Sequence, residues 1–112
     1  MKPPTTESAD AMWCLVMFDL PVKTKKQRNE ANRFRNLLLD EGFWMCQLSV
    51  YVMYTLTAGG SRIPIQHIKS QLPEGGEVRI IHVSDQQWSK MIRFSNGTES
   101  EGNKPPAQLT IF

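Results

Sequence analysis

The apolar positions of the chain change period several times, and each change marks a new element. Met12-Trp13-Cys14-Leu15-Val16-Met17-Phe18 is an unbroken apolar run stopped by Asp19-Leu20-Pro21. It is too short for a helix of its own and predicts a strand buried on both faces, central in its sheet. After Pro21 the period lengthens: Ala31, Phe34, Leu37, Leu38 and Glu41 recur at spacings of three and four. Thr24 can cap the start of this segment and Gly42 can take the left-handed position past its end, so a helix is predicted over 24–41. Residues 42–47 and then 48–54 are rich in aromatic and β-branched side chains and read as a short strand followed by a longer one. Thr55 to Arg62, with Gly59-Gly60, reads as a loop or a ragged helix start; Ile65, Ile68 and Leu72 predict a short helix with Pro64 in its first turn, ended by Pro73 and Gly75-Gly76. Residues 77–83 alternate as a strand, with Val78, Ile80 and His82 on one face and Arg79, Ile81 and Val83 on the other. Ser84-Asp85 then opens a turn or short helix that runs to Lys90.

The order strand, helix, strand, strand, helix, strand predicts an α+β fold, the ferredoxin-like βαββαβ arrangement, with an antiparallel sheet and two helices on one face. Residues 1–10 are polar and aperiodic and read as a disordered leader or an expression remnant. The folded domain is expected over 11–94 and a flexible linker over 95–108. Leu109-Thr110-Ile111-Phe112 reads as a terminal strand with no place left in its own sheet. Added to a partner's sheet in a homodimer, it would cover an exposed edge on both copies, with Leu109, Ile111 and Phe112 as interface residues.

At 112 residues, 40% hydrophobic and 21% charged, the chain has the composition of a single globular domain. No apolar run approaches a membrane span, and the first residues lack the order of a signal peptide, so a cytoplasmic protein without membrane contact is expected. Cys14 and Cys46 lie in apolar stretches without metal-ligand spacing and read as buried free thiols. The net charge of +2 says little, but its distribution is uneven. Between residues 22 and 35 stand Lys23, Lys25, Lys26, Arg28, Arg33 and Arg35 against Glu30 alone, a local cationic field.

Two features could carry chemistry. Asp19 ends a buried strand and is held by the Leu-Pro turn after it, at a rim where sites are often built; the competing reading is an Asx-turn residue that bonds its own backbone. One carboxylate is a poor cage, yet Mg²⁺ often takes only one or two and leaves other positions to water and phosphates. A twofold dimer pairing two Asp19 side chains would meet that need. Lys25, Arg28, Asn32 and Arg35 fall within an arc of about 80° beside the apolar stripe of the helix, and such rows of cations attract phosphate backbones. A solvated helix face is the plainer reading. The aromatics Phe43, Trp44, Tyr51 and Tyr54 suit a core better than base stacking, and His67 and His82 lack partners at ligand spacing and read as structural. Neither a phosphate-binding glycine loop nor a serine nucleophile elbow occurs.

Met17-Phe18-Asp19-Leu20-Pro21, then Arg33-Phe34-Arg35-Asn36-Leu37-Leu38, Gly42-Phe43 and Gln47-Leu48-Ser49-Val50-Tyr51 resemble, in order and spacing, the signatures of the CRISPR-associated protein Two family, the small subunit of the spacer-acquisition machinery. The resemblance runs from about Trp13 to Met91 and again at the terminal strand, and is greatest to members accompanying type II systems. It implies a ferredoxin-like homodimer whose C-terminal strand extends the partner's sheet. It also implies an Mg²⁺-binding aspartate in members that act as endonucleases, a position matched by Asp19. Such proteins also bridge two integrase dimers and contact a pre-spacer DNA duplex through basic residues, a role that would fall to Lys25, Arg28, Arg33 and Arg35. The ten-residue leader and the long linker depart from short members; the linker would let the last strand reach either the dimer partner or the integrase subunit.

Three functions are then open. The first is a dimeric nucleic-acid-binding subunit with an Mg²⁺-dependent endonuclease site at Asp19, acting on single-stranded RNA or duplex DNA and without an identifiable general base. The second is a catalytically silent DNA-binding scaffold, which needs the basic residues but not Asp19. The third is a small-molecule-sensing ferredoxin-like dimer, indifferent to the charges of Arg28 and Arg35.

Overall fold

The structure, a computed structural model, describes residues 11–100. The apolar run forms β1 (Met12–Asp19), the amphipathic stretch forms α1 (Lys25–Asp40), and the aromatic region splits into β2 (Trp44–Gln47) and β3 (Val50–Thr55). Then follow α2 (Arg62–Ser70), β4 (Glu77–Ser84) and a short α3 (Asp85–Ser89). The four strands pair antiparallel in the order β2-β3-β1-β4, with β1 central as its apolar character requires.

The two-residue period of β1 divides its side chains between two packed layers. Cys14, Val16 and Phe18 meet Phe34, Leu37 and Leu38 of α1 and Ile68 of α2, joined by Tyr51 and Met53 of β3 and by Val78 and Ile80 of β4. Both helices therefore lie on one face, and the α+β ferredoxin-like expectation holds. Trp13 and Leu15 project to the other face, where Trp13, Val52 and Trp88 bury one another with Trp44, Tyr54 and Val83 around them. The Trp13 and Trp88 rings stack at 4.2 Å and 10°, and the Trp13 Nε1–H donates to Asp85 Oδ1 at 2.8 Å, so α3 is fastened across that second face. Phe43 and Tyr51 are core residues, and Trp44 and Tyr54 pack against Trp13, as the sequence suggested for these aromatics.

Cys14 is buried, and burial pushes its thiol up from the ordinary range. Cys46, expected to be buried as well, is exposed. It sits at the register shift between Met45 and Gln47 on the edge strand β2, where the ladder turns away from the core. The histidines, read as structural from the sequence, bond within the fold: His67 Nδ1 lies 2.8 Å from Glu41 Oε1 and joins α2 to the end of α1, while His82 Nε2 lies 2.9 Å from the buried Ser61 hydroxyl.

The stretch read as a linker from Ser95 opens as structure. Strand β5 (Arg93–Ser95) pairs with β6 (Thr98–Ser100), because Asn96 and Gly97 both take positive φ, 56° and 82°, and close a two-residue hairpin turn. The leader over 1–10, the remainder of the linker and the strand at Leu109, Ile111 and Phe112 lie outside the described residues.

Candidate nucleic-acid interface

Asp19 is the last residue of β1 and is exposed. Its carboxylate makes no hydrogen bond to any described residue, so the Asx-turn reading finds no support in the geometry. Continuing the alternation of β1, its side chain belongs to the face opposite α1 and α2. The backbone beneath it is tightly fixed. Gly76 has φ +73°, and a Cβ there would stand 2.3 Å from the Asp19 carbonyl oxygen and 3.0 Å from Leu20 Cα. Only glycine allows both that conformation and that approach, so the loop from α2 to β4 lies directly on the Asp19-Leu20 backbone. From the other side, the Phe18 N–H donates to the Ser49 carbonyl at 3.0 Å, and Ser49 itself has φ 67°.

The same loop delivers Glu77 into register with Asp19 as the terminal pair of the β1/β4 ladder. Directly opposed residues share a face with Cβ atoms about 5 Å apart, so two carboxylates flank one sheet end. Glu77 is ion-paired with Arg79, two residues along the same face. Glu77 and Arg79 are the site residues that sequence reading passed over. The alternation over 77–83 shows which residues share a face, but only the β4 register shows that this face meets Asp19.

The basic residues of α1 have more varied surroundings than a helical wheel suggests. Thr24 and Gln27 form a reciprocal capping box, with the Gln27 side chain accepting from the Thr24 and Lys23 N–H groups at 3.0 and 2.9 Å. Arg28 donates to the Val22 and Lys23 carbonyls at 3.2 and 2.9 Å, stapling the β1–α1 loop. Arg33 forks onto Glu30 through Nε and Nη2 and donates also to the Gln71 carbonyl at 3.0 Å, tying α1 to the end of α2. This contact holds the Glu30 carboxyl below its usual range. Arg35 donates to Asn32 at 3.2 Å and lies 5.9 Å from the Phe18 ring centroid. Lys25 is exposed and unpaired among the described residues. The four residues share a helix that packs on the face opposite Asp19, so the structure does not gather them around its carboxylate.

Among the described residues no group of three or more potential metal ligands occurs. The donor set at the end of β1 nevertheless suits a hard cation, since exposed carboxylate oxygens of Asp19 and Glu77 match the one or two carboxylates by which Mg²⁺ is usually held.

Residues 12–91 match the family model described as CRISPR associated protein Cas2. The chain is 36% identical over 102 residues to the CRISPR-associated endoribonuclease Cas2 of Flavobacterium psychrophilum, covering 91% of this chain and 89% of the relative. To the protein of the same name from Paracidovorax avenae it is 40% identical over 101 residues, covering 90% and 94%. To that of Lacticaseibacillus rhamnosus it is 39% identical over 101 residues, covering 90% and 99%. The matched region spans every element from β1 to α3, with Asp19 and its supporting loop inside it, and the chain accordingly belongs to the CRISPR-associated Cas2 family.

Proposed function

We propose that this chain is the dimeric, nucleic-acid-binding subunit of a CRISPR spacer-acquisition complex and carries an Mg²⁺-dependent phosphodiesterase site at Asp19. The observation that carries the reading is the Asp19 carboxylate: exposed, without a hydrogen bond to any described residue, on backbone clamped by Gly76. A carboxylate that merely closed a turn would be engaged with that turn. The relatives' name, endoribonuclease, supports hydrolysis of a phosphodiester and makes single-stranded RNA the first substrate to test, with duplex pre-spacer DNA the second.

The chain's own residues supply position and charge. Asp19, with Glu77 beside it, would hold Mg²⁺, which when bound offsets charge on a scissile phosphate and favours ionisation of water. The clamp under Asp19 limits reorganisation of the carboxylate during the reaction. Lys25 is free to meet backbone phosphates at longer range, and Arg28, Arg33 and Arg35 retain donors beyond those used within the fold. A homodimer is supported by the face bearing Trp13, which α3 covers only in part: Ile81 remains 46% exposed there and Met17 is half-buried. Joining two such faces would bring one Asp19 from each copy towards a shared groove. Residues 109–112, read from the sequence as an added strand, would then meet the partner or the integrase subunit, in the cytoplasm where the invading nucleic acid is met.

The test is cleavage of labelled single-stranded RNA and duplex DNA by the wild type and Asp19→Ala, with and without Mg²⁺, while binding is titrated in parallel. Metal-dependent cleavage lost in Asp19→Ala with binding retained is the expected result. The absence of a three-ligand cluster among the described residues favours a second reading, the catalytically silent scaffold. Steeply salt-dependent binding with no cleavage by either protein would establish that alternative.

A further inference from the structure

The strands of the four-stranded sheet contain three acidic, lysine or arginine residues in all: Asp19 of β1 and Glu77 and Arg79 of β4. They sit together at one sheet end. Asp19 opposes Glu77, and Met17, two residues from Asp19, opposes Arg79, so by strand alternation all three belong to the face turned away from the helices. Arg79 is thus the one lysine or arginine that the described sheet places beside the Asp19 carboxylate. The arginines of α1 stand across the sheet, and Arg28 and Arg33 are engaged with Val22, Lys23, Glu30 and Gln71.

The Arg79 guanidinium is held by Glu77, but both side chains are about two-thirds exposed, 67% and 64%. An ion pair between two such groups contributes little to stability and exchanges readily. A phosphodiester offers the same planar fork the same two acceptors that a carboxylate does. We propose that Arg79 is a further phosphate-binding residue, positioned to hold a backbone phosphate beside Asp19, and that Glu77 is the carboxylate which occupies it until that phosphate displaces it. Glu77, released, is then the second carboxylate facing the Asp19 end. The inference rests on the reading of this face as one that meets nucleic acid, and it assigns the contact to a residue outside the basic helix.

The test is a set of anisotropy titrations of the full chain, in chelator so that nothing is cleaved, with a labelled single-stranded RNA and a labelled DNA duplex over a range of salt. Arg79→Gln is expected to weaken binding at least about fivefold and to lower the salt slope by about one, the loss of one phosphate contact. Arg79→Lys should recover part of the affinity. Glu77→Gln should tighten binding severalfold, and that gain should shrink in the Glu77→Gln/Arg79→Gln double variant, since it depends on freeing the arginine. The probe on which these changes appear identifies the backbone recognised. A wild-type affinity and salt slope in Arg79→Gln, or an undiminished Glu77→Gln gain in the double variant, would overturn the assignment while leaving nucleic-acid binding intact. A change of oligomeric state in Arg79→Gln would instead make the residue part of a subunit interface and overturn it equally. Wild-type protein that binds neither probe would remove the underlying reading along with it. Should Arg79→Gln fail to fold, Arg79→Lys and Glu77→Gln decide the matter.

Discussion

Gly76 is the residue on which the placement of Asp19 most depends. Its positive φ and its approach to the Asp19 carbonyl leave no room for a side chain, so Gly76→Ala must either strain the loop or push the end of β1 aside. A loss of more than about 1 kcal/mol in stability is expected, read by denaturant unfolding, together with weakened metal-dependent cleavage. The thiols allow a second test. Cys14 is buried with its thiol pushed up by desolvation, whereas Cys46 is exposed. Native protein should therefore expose one thiol to a labelling reagent and unfolded protein two, counted by mass spectrometry. A thiol whose folded value is raised binds more protons folded than unfolded above the ordinary thiol range of about 8.5. The Cys14 contribution to stability is thus fully present below that range and is lost as pH rises from it through the raised folded value. Neither Gly76 nor the difference between the cysteines could be read locally, because each depends on what another segment brings close.

At the scale of elements, α1 was the most legible part of the chain. Its apolar spacing, its cap and its end all agree with one another, and the structure starts the helix one residue after Thr24 with Glu41 as its C-cap. Thr24→Ala removes the acceptor of the Gln27 N–H and should cost about 1 kcal/mol by thermal unfolding. It leaves the basic side chains in place, so nucleic-acid binding should change little. The helical wheel said less about what those cations do. Periodicity locates Arg28 and Arg33 on the surface but contains nothing about the carbonyls of Val22, Lys23 and Gln71 that they reach. The hairpin of β5 and β6 was missed for a related reason. Its strands are only three residues each, too short to show a period, although Asn96-Gly97 was a usable turn signal.

For the whole molecule, the sheet is the organising plane. One face is filled by α1 and α2, and the other carries the Trp13 cluster, its partial cover by α3, and the Asp19, Glu77 and Arg79 end. If two copies join through this second face, Ile81→Glu should yield a monomer by sedimentation with an unchanged circular dichroism spectrum, since Ile81 is half exposed and outside the principal core. Cleavage should fall with the dimer if two Asp19 carboxylates act together, and should persist if one suffices. Either outcome leaves the fold itself in place.

The identities and order of the elements from β1 to α3, the central place of β1 and the candidacy of Asp19 all followed from the sequence alone. Backbone period, caps and turns act over a few residues, and a charged residue closing an apolar run is conspicuous without any partner. Tertiary structure alone decided which groups surround that aspartate. The pairing of Asp19 with Glu77 joins positions 58 residues apart through the β1/β4 register, and the loop from α2 reaches beneath Asp19 because Gly76 lacks a side chain. The assignment of the α1 arginines to the opposite side of the sheet is settled by which stripe of the helix is buried against Phe18 and Val16. Register and facing are properties of chain segments meeting in space, and a linear sequence carries them only after the fold has closed.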